Sequence, residues 1–172
     1  ALCDVMGGTS SVEAAPRELQ DSTQLEVGRL QKVYPWSEMI HHFNDRLMSH
    51  GVVFAEISDE EALQVLCETE PHLLQLAESA ESFLQLCPKL PRDKATGSFE
   101  ESIPSSSAVP ANWAETLLER QPGLKSTRFQ LVPSKISEEK FWDRYFAGIF
   151  LLIAAQLCEL HGVSAVSEKK KT

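Results

Sequence analysis

The sequence predicts an all-α fold. Three observations carry that expectation. Apolar residues recur at spacings of three and four in several separate stretches, and a serine followed by acidic residues heads two of them. No segment sustains an apolar/polar alternation or holds an Asn-Gly or Asp-Gly hairpin turn.

In chain order, residues 1–24 are small, polar and aperiodic, and read as a flexible N-terminal arm. Order improves from Leu25, so 25–70 reads as an N-terminal helical segment. Pro35 suits a first helical turn, and Trp36, Met39, Ile40, Phe43 and Leu47 form one apolar stripe that Gly51 closes. Ser58, followed by Asp59, Glu60 and Glu61, reads as an N-cap with acids placed favourably for the helix dipole. Pro71 then ends or restarts that helix.

Residues 71–87 repeat the amphipathic pattern with Leu73, Leu74, Leu76, Ala77, Ala80, Phe83, Leu84 and Cys87 until Pro88. The stretch 88–111 is Ser/Pro-rich and aperiodic, which predicts a long loop. Asn112 is placed to cap a short helix through Trp113, Leu117 and Leu118, ended by Pro122 and Gly123. Phe129–Val132 reads as extended because Pro133 follows.

The last helix gives the clearest signal. Ser137 is the N-cap, Glu138 and Glu139 follow, and apolar residues run from Phe141 to Leu160 before Gly162. Its apolar band is wider than one face, which predicts a central core helix or a helix that also meets a partner. Within it, 146–158 is a largely apolar run of 13 residues, with Asp143 and Arg144 before it and Glu159 after it. That is shorter than the roughly 20 a membrane span needs, so no transmembrane span is expected.

Composition narrows the function classes. The chain has 172 residues, with 16 Lys and Arg against 25 Asp and Glu, a formal net charge of −9. One domain with an appended segment fits that length, and a chain this long buries enough surface to need no disulfide or metal staple. A net-acidic chain is a poor match for phosphate, so no nucleic-acid partner is expected. The acidity is concentrated in residues 1–87, whose net charge is −11, whereas 88–172 carries +2. On that asymmetry, the acidic half steers basic protein partners if it is functional at all. Cys3, Cys67, Cys87 and Cys158 stand alone, with no CxxC pair, which points to a reducing compartment: intracellular, cytoplasmic first and nuclear second.

No catalytic constellation is present. His41 and His42 point to different helix faces, Gly7–Gly8 lacks the lysine of a phosphate loop, and the adjacent Glu pairs diverge by about 100° on a helix. Catalytic, cofactor and metal residues are therefore all expected to be none. The basic tail, 163–172, with Lys169–Lys171, reads as a solvated charge run capable of weak peripheral membrane contact.

One stretch is more specific. Residues 131–146 read LVPSKISEEKFWDRYF, with adjacent Phe141 and Trp142 followed by Tyr145 and Phe146. With Arg128 and Phe129 before it, this pattern resembles the BSD domain, and within that family the synapse-associated branch. The resemblance covers about residues 72–160. It implies a three-helix bundle with the Phe-Trp pair in its third helix, hence a BSD-like domain over 71–162, to which the periodicity of 25–70 adds helices on the N-terminal side. Phe141, Trp142, Tyr145 and Phe146 are then core or partner-binding residues, and Phe150, Leu131 and Val132 the candidate partner surface. The implied function is a non-enzymatic protein–protein interaction module, an adaptor in signalling or membrane traffic. The alternative is a scaffold subunit of a large assembly, including transcription or repair machinery.

Overall fold

The computed structural model describes residues 34–89 and 97–164. The arm expected over 1–24 and all but the first two residues of the tail expected over 163–172 lie outside the described residues. Among the described residues there are seven α-helices, one 3-10 turn and no strand, as the periodicity predicts.

Helix α1, Trp36–Ser49, buries Trp36, Met39, Ile40, Phe43 and Leu47 on one face. Gly51, at φ 70°, ends it in the left-handed conformation that glycine adopts without steric cost, and the Val52 N–H donates to the Leu47 carbonyl. Helix α2, Asp59–Leu76, opens on a full capping box. The Glu61 N–H donates to Ser58 Oγ (3.2 Å), and the Ser58 N–H donates to Glu61 Oε2 (2.8 Å).

Pro71 does not end this helix, contrary to the expectation from sequence. It lies inside α2 at an exposed position, as does Cys67, whose carbonyl loses its helical N–H partner to the proline ring. Beyond it, Leu73 and Leu76 are buried in the core, and that burial carries the helix past the proline. The expected boundary at 70/71 therefore falls inside a helix, and the N-terminal helices share one core with the rest.

The single helix expected over 71–87 is in fact two pieces. Helix α2 stops at Leu76, and Ser79 caps a new helix, α3, over Ala80–Leu86. Helix α6 (Pro122–Leu131) crosses at that break. Thr127 Oγ1 donates to the Ala77 carbonyl (3.1 Å), and Gly123 sits so close that a Cβ there would meet the same oxygen at 3.0 Å.

Of the stretch 88–111, residues 90–96 lie outside the described residues, and 97–111 is more ordered than a loop. It holds a short helix, α4 (Ser98–Ser102), and a 3-10 turn (Ser106–Ala108). Arg46 Nε donates to the Ser102 carbonyl (2.9 Å), and the Ser106 N–H donates to Asp143 Oδ1 (2.8 Å), so α1 and the last helix both anchor the middle of the segment.

Helix α5, Ala111–Arg120, starts one residue before Asn112, which is not its cap but donates to the Tyr34 hydroxyl (3.1 Å). Pro122 does close α5, and it also opens α6 in the same step, since a first-turn proline lacks only an N–H that has no helical partner. Phe129–Leu131 is consequently helical and not extended. The rule for a residue preceding proline binds Val132 alone, and Val132 is extended (ψ 133°).

Helix α7, Glu138–Leu160, runs through the centre and packs against both α1 and α2. By length and composition its 23 residues could cross a membrane, a longer element than the apolar run 146–158 suggested. However, 72% of its most apolar 18-residue stretch is buried among the other helices, as in a core helix.

Candidate interaction site

The aromatic motif is the centre of the bundle. Phe141 stacks on Phe83 (centroids 4.6 Å, interplanar 6°) and on Tyr145 one turn later (6.4 Å, 19°), and Trp142 stacks on Phe146 (5.8 Å) while its edge meets Phe141. Phe141, Tyr145 and Phe146 are fully buried, and Trp142 is 8% exposed. Burial pushes the Tyr145 phenol above its usual range, with the neighbouring Cys87 adding to the effect. Phe150 and Leu131, expected as partner surface, are also buried: Phe150 meets Phe43 edge-on (5.2 Å), and Leu131 points into the core. Of the three residues expected on that surface only Val132 keeps partial exposure.

Two polar groups hold this centre in place. Glu138, in the first turn of α7, accepts from Trp142 Nε1 (2.8 Å) and from Arg128 Nε (2.9 Å) and NH2 (2.6 Å). Burial alone would raise its carboxyl, but the hydrogen bonds from Arg128 and Trp142 and the guanidinium charge outweigh that and hold it below the usual carboxylate range. Arg128 is thereby tied across the turn joining α6 to α7. On the other side, buried Arg144 donates to the Cys87 carbonyl (2.8 and 3.3 Å) and the Leu84 carbonyl (3.1 Å), and lies 5.5 Å from the Phe83 ring centroid. It satisfies carbonyls at the C-terminus of α3, where the helix dipole favours a cation. Neither Glu138 nor Arg144 was singled out as a site residue by sequence reasoning, although both belong to the EE-x-FW-x-R pattern.

What the tether leaves outside is Phe129. It follows Leu124 by five residues and precedes Leu131 by two, so at about 100° per residue it lies opposite the buried side of α6. It is 84% exposed. Val132, partly exposed, and Pro133, exposed, follow in the turn just beyond the end of α6. Phe54, 81% exposed, sits on the loop between α1 and α2, and Tyr34, 40% exposed, precedes α1 with its hydroxyl engaged by Asn112. Phe129 was missed because its segment reads as extended. A helical reading of 122–131 puts it on the outer side at once.

The histidines are placed in ordinary structural contacts. His41 pairs with Asp59 (2.9 Å), His50 Nδ1 meets the Arg46 carbonyl, His161 Nε2 meets buried Asn44 Oδ1 (3.0 Å), and His42 packs edge-on against Trp113 (5.3 Å). Among the described residues no group of three or more His, Cys, Asp or Glu is arranged to hold a metal ion.

No curated protein and no solved structure matches the chain. A family model does: that of the BSD domain, over residues 110–149. The match takes in α5, α6 and the first half of α7, and so includes Arg128, Phe129, Glu138, Phe141 and Trp142. It is shorter than the 72–160 that the motif resemblance suggested. The BSD domain is a helical domain of the protein-interaction type, and its family is generally non-enzymatic. A BSD domain is thus detected over residues 110–149.

Proposed function

We propose that this chain is a non-enzymatic interaction module, an adaptor in signalling or membrane traffic, and that it meets its partner through the Phe129 side of α6. The observation that carries this reading is the 84% exposure of Phe129 on a helix that the Arg128–Glu138–Trp142 tether holds rigid. An aromatic ring kept in water forgoes about 2 kcal/mol or more of burial free energy, which contact with a partner recovers. The segment 97–109 directs its hydrogen bonds to this chain's own Arg46 and Asp143, which supports an adaptor over a scaffold subunit that wraps its neighbours. Lone cysteines support an intracellular, reducing setting, cytoplasmic before nuclear.

The test is site-specific crosslinking in cells from the native source. A photoreactive phenylalanine analogue at position 129 is expected to give light-dependent adducts with a defined protein, and the same analogue at exposed Gln64 is not. Equal adduct patterns from both positions would refute the reading.

A further inference from the structure

The charge around Phe129 is opposite in sign to that of the chain. Residues 56–81 hold eight acidic residues and neither Lys nor Arg, and the whole chain carries −9. Residues 121–140, by contrast, hold Lys125, Arg128, Lys135 and Lys140 against Glu138 and Glu139. Glu138 is already taken, since both its oxygens accept from Arg128 and one also from Trp142. Lys125, Lys135 and Lys140 are exposed and form no ion pair among the described residues. Lys125 stands one turn before Phe129 on the same side of α6. Lys135 lies in the turn just after Pro133, where its N–H donates to the Leu131 carbonyl (2.9 Å), and Lys140 lies in the first turn of α7.

We propose that this face binds an acidic peptide segment bearing an apolar side chain, with the Phe129 ring as anchor and Lys125 and Lys135 as counter-charge. The inference rests on the reading that the Phe129 face is the docking surface, and adds the chemistry of what docks. It reverses the expectation drawn from net charge. At physiological salt, charges beyond about 8 Å are largely screened, so a short segment lying on α6 feels the local lysines more than the chain's total. An anionic bilayer is a worse fit, because an extended negative surface would also face the acidic body of the molecule.

The test uses short random peptides displayed on phage and selected on the full chain. The selected sequences are then made as labelled peptides and titrated by fluorescence anisotropy. Acid-rich, apolar-anchored peptides are expected, with F129A weakening them about tenfold or more. A K125E/K135E variant, altered only at exposed lysines, is expected to weaken the same peptides, with a flatter salt dependence than wild type. Neutral or basic peptides that still need Phe129 would overturn the acidic inference and leave the docking face standing. Peptides that bind F129A as well as wild type would overturn both. Phosphatidylserine–phosphatidylcholine vesicles that bind in a Phe129-dependent way, with no such peptide selected, would overturn the inference in favour of a membrane.

Discussion

Replacing Arg144 by Met tests how the core is held. The guanidinium makes three hydrogen bonds to two backbone carbonyls, Leu84 and Cys87, and has no carboxylate partner among the described residues. Met keeps the stem and removes every donor, but the carbonyls stay where they are. Each one left buried without a partner costs about 1–3 kcal/mol. The change also removes the cost of burying a cation and adds apolar packing, an opposing gain of about 1–2 kcal/mol. The net loss is about 2–3 kcal/mol, or a melting temperature lower by about 5–10 °C for a chain of this size. R144K, which can still donate to one carbonyl, should lose about half as much. Urea and thermal unfolding followed by circular dichroism measure both variants. A Met variant as stable as wild type would show that the buried charge costs as much as its hydrogen bonds return, and would refute the capping role.

Three further predictions concern the same core. F141A, which removes the ring stacked on Phe83 and Tyr145, should destabilise the fold by about 3–5 kcal/mol in the same assays. His42 is held below its ordinary value of 6.5, first by burial and then by the Arg46 charge, against smaller opposing effects of Asp45 and an Ala108 backbone hydrogen bond. Its folded form resists the proton that the unfolded chain accepts, so its contribution is complete above pH 6.5 and is lost as the pH falls through the lower folded value. H42N should flatten the wild-type decline in stability measured between about pH 7 and 5. Burial pushes the Cys87 thiol up to about 12 and raises that of Cys158, whereas Cys67 is exposed. In a C3S background a thiol reagent should label Cys67 quickly, and Cys87 and Cys158 only on unfolding.

Much of the scaffold is legible in the sequence because its signals are local. The stripe Trp36–Leu47, the Ser58–Glu61 cap and the Ser137 cap each depend on residues within one or two turns, and the structure has all three. Prolines mislead where distant packing outweighs a local preference. Pro71 reads as a stop, but burial of Leu73 and Leu76 carries α2 past it. Pro133 constrains Val132 alone, and extending its influence back to Phe129 hides the outer side of α6.

Partner-surface residues are harder to read, since exposure depends on what packs from elsewhere. Phe150 is covered by Phe43 and Phe99, which lie 107 and 51 residues away, and no spacing rule reveals that. Arg144 reads as an ordinary helix charge until α3 is seen to end against it.

The central claim is a division of labour within one motif: buried rings hold the bundle, and Phe129 is left for contact. F129A and W142A, compared side by side for unfolding and for adduct or peptide binding, test it most directly. F129A should melt within about 1 °C of wild type and lose binding, because a residue 84% exposed contributes little to the fold. W142A should unfold far more easily. An F129A variant that binds normally, or one that melts as low as W142A, would contradict the account.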